Sequence, residues 1–323
     1  MLAVFLGHQG LREINPLLYS FHLPLFYYIA GYFFHADEPL PNMACKKARA
    51  LLLPYATTCA LMVCGSLLIS NEFDVALNWL WASLYGSGGA CTPPFHTHMI
   101  GATWFLLSIF WGYLLLSAVT RIHSFIRQAL AVCLLFAASC LSARLIWLPL
   151  SIQTAGPALL FMYMGHLFQL HGAVALRLKP AAKYAICIAL LLCWVANICL
   201  FRGFYLVDCT INNGLLDILG SLGGFIAVAI VSRLICNPLL NFIGRFSLLF
   251  LCLHNFEQNL IPWQLVSGKI LVTLSLPLEL QPALTIALRL AFIITGSWVI
   301  IKIPYLKLLF GYKNSQKAPQ TAQ

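Results

Sequence analysis

Residues 7–34 read GHQGLREINPLLYSFHLPLFYYIAGYFF, and after Glu13 this stretch carries no further Asp, Glu, Lys or Arg. An uncharged apolar run of about 20 residues is long enough to cross the hydrocarbon core of a bilayer as a helix. The stretch therefore predicts a membrane-spanning helix. It also contains two histidines, His8 and His22, one on each side of an Asn-Pro turn, and titratable rings are unusual in such a setting.

The whole chain has the composition of a membrane protein. Apolar residues make up 61% of the 323 positions and charged residues 9%, with a mean hydropathy of +0.87, against about 45–50% and about 25% in soluble domains. A large, unusually hydrophobic soluble domain is the competing explanation. A transmembrane barrel would show short alternating segments, whereas these apolar runs are long and continuous. Composition thus favours helices.

Nine apolar runs are long enough to be considered as spans, at 17–35, 50–70, 101–120, 128–143, 154–171, 183–201, 214–232, 246–262 and 283–301. Before them stands MLAVFLG (1–7), which at about 1.5 Å per residue covers about a third of the bilayer. We interpret it as the outer end of a first helix whose beginning is absent, and expect a truncated amino terminus. The prediction is an all-α, polytopic transmembrane helical bundle of about ten spans, the first incomplete.

The basic residues alternate between the connections. One set of connections and the tail hold 14 Lys and Arg residues, and the opposite set holds four. The positive-inside rule makes the first set cytoplasmic, so both termini are predicted to be cytoplasmic in a multi-pass protein of the plasma (inner) membrane. This distribution explains the net charge of +10 through membrane topology and gives no indication of nucleic-acid binding. We expect one membrane domain, 1–312, followed by a disordered cytoplasmic tail, 313–323.

No metal site is predicted. Most of the 12 cysteines lie singly inside apolar runs, where cysteine behaves as a small apolar residue. No CxxC pair and no Cys/His spacing typical of a metal site occurs in the chain.

Ionisable residues inside membrane spans are costly and are therefore candidates for function. In the predicted topology, six lie near the middle or in the outer half of the membrane: His8, His22, Asp217, His254, Glu257 and Arg289. His254 and Glu257 are three residues apart and share a helical face. If these faces converge, they form a polar chamber open towards the outside. Structural explanations remain open: an interfacial position for His22, an Arg289–Asp217 ion pair, and a purely orienting role for Glu257.

A basic cluster opens the third span in KKARALLLPY (46–55). Lys46 and Arg49 are three residues apart, so they present neighbouring donors on one helical face, as a phosphate clamp would. The alternative is that these cations serve only the positive-inside topology.

Six segments, in order, resemble the acyltransferase-3 family of integral membrane acyltransferases, in its fucose 4-O-acetylase-like branch. They are VFLGH (4–8), FHLPLFYYIAGYFF (21–34), KKARALLLPY (46–55), ATWFLLSIFWGYLL (102–115), FMYMGHLF (161–168) and FIGRFSLLFLCLHNF (242–256). Each alone is a weak signal, because each is mostly a transmembrane helix. The ordered set spans nearly the whole chain and is more specific.

The resemblance implies about ten transmembrane helices and transfer of an acyl group from cytoplasmic acetyl-CoA, or another acyl-CoA, to a sugar hydroxyl on the extracytoplasmic side. The histidine that ends the family's first helix, on which its mechanism depends, matches His8. The basic pair linked to acyl-CoA matches Lys46 and Arg49, with Lys in place of the more usual Arg. His254 falls on a position often occupied by His in this branch. The family's arginine about ten residues before the first-helix histidine has no counterpart, since the chain begins at Met1.

A sugar hydroxyl is a poor nucleophile until its proton is removed, and histidine is well suited to accept that proton near neutral pH. His8 is therefore expected to be the general base or else a transient acyl carrier, with Glu257 or Asp217 as its acidic neighbour. A basic inner mouth is expected to hold the phosphates of the donor, and consists of Lys46, Arg49, Arg121, Arg127, Arg233 and Arg245.

The acceptor is expected to be a carbohydrate such as capsule, O-antigen or a related glycan, with His22, Trp104, Asp217 and Arg289 as candidate contacts. Tryptophans such as Trp104 also commonly anchor a helix at the interface with membrane lipids. Two alternatives to an active acyltransferase remain: a transporter or flippase of a small or lipid-linked substrate, which would use the same intramembrane charges, and a degenerate, inactive family member.

Overall fold

The structure of the protein, a computed structural model, describes residues 1–70, 72–89, 98–235 and 237–312, without the side chains of Arg12 and of residues 174–176. The expected disordered tail, 313–323, and most of the 86–98 connection lie outside the described residues. The helices are α1 (Leu2–Gly7), α2 (Asn15–Tyr19), α3 (His22–Tyr32), α4 (Leu40–Lys47), α5 (Leu53–Ser70), α6 (Phe73–Tyr85), α7 (Trp104–Thr120), α8 (Phe125–Ser142), α9 (Ala155–Leu176), α10 (Pro180–Cys199), α11 (Leu215–Leu234), α12 (Pro238–Arg245), α13 (Ser247–Leu260), α14 (Trp263–Thr273), α15 (Gln281–Lys302) and α16 (Pro304–Leu309).

The prediction of an all-helical membrane bundle is confirmed. Apolar side chains force helix formation in hydrocarbon, because backbone amides there find partners only within the helix. Each of the nine predicted runs coincides with one or two of these helices, and α1 coincides with the short apolar segment 1–7 that precedes them. The only strands in the described residues are β1 (Phe204–Tyr205) and β2 (Thr210–Ile211), which form a short antiparallel hairpin.

By length and apolar composition, six helical segments of the described residues qualify as membrane spans: Leu40–Ser70, Gly101–Thr120, Phe125–Ser142, Pro180–Cys199, Leu215–Leu234 and Leu278–Lys302. The count is seven if α12 and α13, which meet at an 82° bend, form one broken span. The difference from the expected ten has local causes. The run 17–35 is divided into the short helices α2 and α3, and α9 carries several polar side chains along its length.

Helix α7 forms the centre of the bundle. Most of its span is buried inside the protein, at 61%, whereas only 6% is buried for α8 and for α10, which therefore lie at the periphery. Helix α9 packs against α3, α7 and α8, and α13 packs against α5 and α15. These contacts bring α3, α7 and α13 together in the interior of the bundle, where all three contribute residues to the candidate site.

Two glycines allow α3 and α9 to approach each other closely. A Cβ atom on Gly31 would lie 1.8 Å from the Met162 carbonyl oxygen, and one on Gly165 would lie 2.0 Å from the Tyr28 carbonyl oxygen. Each helix thus presents a glycine to the backbone of the other. Small residues at such crossings permit the backbone contact and dispersion attraction that hold membrane helices together.

We expect Gly165→Ala to lower the free energy of unfolding by about 1–3 kcal/mol, because the added methyl meets backbone that cannot move independently. Gly172→Ala, also on α9, is the matched control, since its nearest atoms would be 3.7 Å away in the Phe168 side chain. Thermal unfolding in detergent measures the effect. Equal midpoints for the two variants and the unaltered protein would contradict the proposed crossing.

The helix that carries the basic cluster is interrupted by a π-helical turn, Ala48–Leu52, between α4 and α5. Pro54 follows this turn, and a proline ring clashes with the carbonyl four residues earlier, here that of Ala50. Widening of the helix relieves this clash. Arg49 lies within this π-helical turn. Such turns frequently occur at functional sites.

Candidate active site

His8 ends α1 with its imidazole held in one orientation. Its Nδ1–H donates to the Val4 carbonyl oxygen at 2.8 Å, because a carbonyl can only accept. In the neutral ring the other nitrogen, Nε2, therefore carries a free lone pair. The backbone of the last turn of α1 thus prepares His8 as a proton acceptor at Nε2.

His8 lines a cavity of about 610 Å³, a volume within the usual range for small-molecule sites. The polar and aromatic residues that line it are His8, Tyr19, His22, Phe26, His98, Trp104, Phe105, Tyr205, Asp208, Gln258 and Asn259. They come from the end of α1, from α2, α3, α7 and α13, and from the connections that follow α6 and α10. These connections belong to the set that the basic-residue pattern predicts to be extracytoplasmic.

His22 lies in the same cavity and repeats the hydrogen bond of His8. Its Nδ1–H donates to the Leu18 carbonyl at 2.7 Å, and its ring packs edge-on against Tyr19 with centroids 5.1 Å apart. The Tyr19 hydroxyl donates to the Gly7 carbonyl at 3.2 Å, which joins α2 to the end of α1. His22 is only 3% exposed, so it is a buried lining residue and not an interfacial side chain.

His254 is a titratable neighbour whose ring lies directly against that of His8. The two rings are arranged edge to face with centroids 5.2 Å apart. On the other side, His254 Nδ1–H donates to Glu257 Oε1 at 2.8 Å, across one turn of α13. His254 Nε2 is buried and has no hydrogen-bond partner among the described residues.

Glu257 is fully buried, and its charge is neutralised by Arg289 from α15. The Arg289 Nε donates to Oε2 at 2.9 Å, and Nη2 donates to Oε1 at 2.9 Å, which is a bidentate pairing. Arg289 Nη1 also donates to Gln9 Oε1 at 3.0 Å, and Gln9 Nε2 donates to the Phe5 carbonyl at 2.9 Å. The ion pair thus connects α13, α15 and the segment that carries His8.

The alternative ion pair between Arg289 and Asp217 is not formed. Asp217 lies in the first turn of α11, where its Oδ2 accepts the Asn213 backbone N–H at 2.8 Å. Arg289 binds Glu257 instead. Of the two acidic neighbours considered for His8, Glu257 is the one connected to it, through His254, whereas Asp217 is not among the described residues that line the cavity.

Trp104 forms part of the cavity wall at the start of α7. It is 6% exposed, and a Cβ atom added to Gly88 would lie only 2.1 Å from its ring. The ring is therefore packed under the connection that follows α6. This position differs from that of an interfacial anchor, which would face the lipid headgroups.

The predicted donor-binding residues occupy a different part of the fold from the cavity. Lys46 and Arg49 are both exposed, and Lys46 Nζ lies 3.5 Å from Glu38. Arg121, at the end of α7, donates from Nη2 to the Glu38 carbonyl at 3.3 Å. Arg245 ends α12, and its guanidinium lies 5.6 Å from the Phe246 ring centroid. Lys46 and Arg121 therefore share a neighbour, whereas Arg245 comes from a separate element.

Seven polar residues of the site were not identified from the sequence: Gln9, Tyr19, His98, Tyr205, Asp208, Gln258 and Asn259. Gln258 and Asn259 continue the polar run HNFEQN (254–259), an unusual pattern inside an apolar span, and Gln9 directly follows His8. These signals were available. Asp208 lies in the connection between α10 and α11 and enters the site only through tertiary folding.

An all-helical membrane bundle that presents an oriented histidine to a polar cavity has the features of an integral membrane enzyme. Comparison with protein families identifies which one: the family model described as an acyltransferase domain matches residues 1–302. The chain belongs to the acyltransferase-3 family, and it is a membrane acyltransferase. Searches of curated proteins and of solved structures found no match.

Proposed function

We propose that the protein is an O-acetyltransferase that moves an acetyl group from cytoplasmic acetyl-CoA to a sugar hydroxyl of an extracytoplasmic glycan, within the fucose 4-O-acetylase-like branch. The observation that carries the proposal is the orientation of His8. Its Nδ1–H is bound to the Val4 carbonyl, and the residue lines the 610 Å³ cavity. A base with a free Nε2 lone pair beside a polar cavity is what activation of a hydroxyl requires.

In the proposed reaction, His8 Nε2 accepts the proton of the sugar hydroxyl as its oxygen attacks the thioester carbonyl carbon. The tetrahedral intermediate collapses with cleavage of the carbon–sulfur bond. The leaving thiolate then takes the proton from the His8 imidazolium. The products are the O-acetyl sugar and CoA, and His8 returns to its neutral form. One histidine thus serves as base and then as acid.

The charged residues behind His8 support this cycle. The Glu257 carboxylate is held between His254 and Arg289, so its negative charge is fixed near the ring that becomes positive. Because the bidentate pairing immobilises the carboxylate, little reorganisation is needed during proton transfer. Glu257, His254 and Arg289 are positioning residues in this proposal.

The donor is proposed to bind at the basic residues of the opposite, cytoplasmic side. Acetyl-CoA carries several phosphates that cannot enter hydrocarbon, and the exposed Lys46 and Arg49 offer donors for them. The positive-inside pattern supports a cytoplasmic position for this cluster and for both termini in the plasma (inner) membrane. The pantetheine arm would then extend between helices towards His8.

Replacing Lys46 and Arg49 together with alanine is expected to raise KM for acetyl-CoA about tenfold or more, with little change in KM for the acceptor, because two charge-assisted contacts of about 1 kcal/mol or more each are lost. The double variant Arg177→Ala with Lys179→Ala, also exposed and basic, is the matched control. Steady-state kinetics in membranes measure the KM values of donor and acceptor for both double variants. Equal effects on the KM values of donor and acceptor would leave these residues only a topological role.

The acceptor is proposed to be a neutral portion of a capsule, O-antigen or related glycan. Sugars bind through aromatic faces and hydrogen-bonding groups, and the cavity offers Trp104 and Tyr19 beside Gln258 and Asn259. His22 supplies a second unprotonated ring nitrogen for a sugar hydroxyl.

The direct test is transfer of label. Membranes containing the protein are incubated with acetyl-CoA labelled in its acetyl group and with isolated glycan, and the glycan is then analysed. We expect label on the glycan in an alkali-labile ester. Transport of the glycan without any label would favour a transporter or flippase and overturn the proposed acyl transfer.

A further inference from the structure

A cleft separates two closely packed pairs of helices. Helix α3 packs against α9, and α10 packs against α11. In the second pair, a Cβ atom on Gly223 would lie 2.1 Å from the Leu190 carbonyl oxygen, so the backbones of α10 and α11 approach each other closely. The two pairs are joined just before α3, where the Trp194 indole of α10 donates to the Ser20 hydroxyl at 2.9 Å and packs edge-on against Phe21. In the predicted topology, this junction lies in the outer half of the membrane.

On the cytoplasmic side of this junction, the two pairs enclose a cleft of about 900 Å³. It follows the second halves of α9 and α11, and residues of α3, of α10 and of the start of α8 complete its walls. Its described lining is apolar except for Tyr28, His171 and Ser232. Phe125 and Phe168, two of the lining residues, are 59% and 51% exposed. The cleft is therefore open towards the surroundings of the bundle, which in a membrane are lipid.

The cytoplasmic end of this cleft is basic. His171 and Ser232 lie in its wall. Arg233 follows Ser232 in the last turn of α11, Arg177 comes directly after α9, and both arginines are exposed. Helices α8, α9 and α10 contain no Asp or Glu, and α11 contains only Asp217, in its first turn at the opposite end. An anionic partner for these cations therefore has to come from outside this group of helices.

The apolar walls and the basic end have different effects on binding. In a bilayer, apolar walls alone do not select a ligand, because lipid tails already surround every helix. A concave cleft adds dispersion contacts on several sides of a chain. A basic end adds charge-assisted hydrogen bonds to phosphate, and basic pockets between membrane helices on the cytoplasmic side are typical sites for anionic lipid headgroups. Both features occur here, one along the cleft and the other at its end.

We propose that this cleft is a binding site for an anionic phospholipid of the cytoplasmic leaflet. One acyl chain lies between α9 and α11, and the phosphodiester accepts hydrogen bonds from Arg233 and Arg177. The lipid joins the two helix pairs at the end opposite the Trp194 junction and thereby stabilises the fold. The site is separate from the polar cavity that His8 lines, and the inference does not depend on the proposed acyl transfer.

Native mass spectrometry of the full chain, purified in detergent and mixed with defined lipids, tests this site. Phosphatidylglycerol should bind at one molecule per chain with a Kd at least about fivefold lower than that of phosphatidylcholine with the same acyl chains, because one cation near an anionic headgroup contributes about this factor. The thermal unfolding midpoint should rise with phosphatidylglycerol. Glycerol phosphate, which carries the charge without the chains, should leave the midpoint unchanged.

Filling the cleft should remove the bound lipid. Ala229→Phe places a ring among the lining residues of α11 and is expected to abolish retention of phosphatidylglycerol. Ala173→Phe is the matched control, because Ala173 is exposed on α9 and does not line the cleft. Retention by this control should equal that of the unaltered protein.

Removing the charge should weaken binding of the anionic lipid selectively. Arg233→Gln with Arg177→Gln is expected to raise the Kd for phosphatidylglycerol at least about fivefold and to leave that for phosphatidylcholine unchanged. Arg144→Gln with Arg202→Gln, at two exposed arginines of the predicted outer side, is the matched control and should change neither Kd.

Four results would overturn the proposal: equal binding of the two phospholipids, phosphatidylglycerol binding that survives both the Ala229 and the double arginine variants, equal stabilisation by glycerol phosphate, or copurification of an isoprenoid lipid in place of a phospholipid. Because Arg233 and Arg177 are exposed, their replacement leaves the packing of the bundle unchanged. The arginine variants therefore decide the question even if Ala229→Phe does not fold.

Discussion

Replacement of His8 with alanine is expected to reduce acyl transfer by about 10²–10⁴-fold, the contribution typical of a positioned general base. The effect should fall on kcat, because the variant keeps the cavity walls and loses only the proton acceptor. Within the described part of the chain, the His8 side chain makes one hydrogen bond, to the Val4 carbonyl, and this bond is local to the last turn of α1. Its loss should therefore leave insertion and abundance unchanged.

His171→Ala is the control for this experiment, since His171 is exposed on α9 and lies outside the polar cavity. Added imidazole should restore part of the lost activity in His8→Ala, because the cavity of about 610 Å³ admits a small base. Full activity in His8→Ala would refute the assignment. Loss of activity together with loss of the folded protein from the membrane would also contradict it, because it would assign His8 a structural role.

His22 shares the tautomer and the cavity of His8 but lacks its neighbours. Its ring contacts Tyr19, whereas the ring of His8 lies against His254 and is thereby connected to Glu257. Formation of an imidazolium is favoured where a carboxylate lies close and is fixed in position. The difference in surroundings, and not the difference in ring chemistry, is the reason that we assign the base to His8.

Arg289→Met is expected to lower the free energy of unfolding by about 3–5 kcal/mol. The substitution removes the bidentate partner of a carboxylate that is fully buried, and a buried charge without its partner is strongly destabilising. Reversible unfolding in mixed detergent micelles measures the loss. Activity should fall as well, because Gln9 loses its contact with Arg289 beside His8.

The double variant Glu257→Gln with Arg289→Met should recover most of that stability, since replacing both partners removes the uncompensated charge. It should remain slow in acyl transfer, because His254 then faces an uncharged amide. Arg144→Met, at an exposed arginine, is the matched control and should change the free energy of unfolding by no more than about 0.5 kcal/mol. A double variant as unstable as the single one would show that the ion pair does not carry the effect.

The positions of the helices were predictable because hydrocarbon imposes one requirement along the whole chain. In an apolar run, the backbone N–H and C=O groups must form their hydrogen bonds within the run, and a helix achieves this wherever such a run occurs. The division of the run 17–35 into α2 and α3 was harder to predict from the sequence. It arises at Ser20 and Phe21, where Tyr19 turns to contact Gly7 and the Ser20 hydroxyl accepts the indole N–H of Trp194.

The candidate site was predictable in part. His254 and Glu257 could be placed together because residues three apart in a helix always share a face. The partner of Arg289 could not be chosen from the sequence, since Asp217 and Glu257 are both carboxylates at comparable predicted depths. The structure pairs Arg289 with Glu257 because α15 packs against α13.

The sequence by itself determined that this chain is an all-helical membrane protein, which residues carry costly charge within it, and that its order of segments matches an acyltransferase family. These properties depend on composition and local spacing, which a linear chain displays directly. Only the tertiary structure decided that His8 and His22 share one cavity and that Arg289 pairs with Glu257 and not with Asp217. Such relations depend on which helix faces pack together, and that choice is made by contacts between residues far apart in the chain.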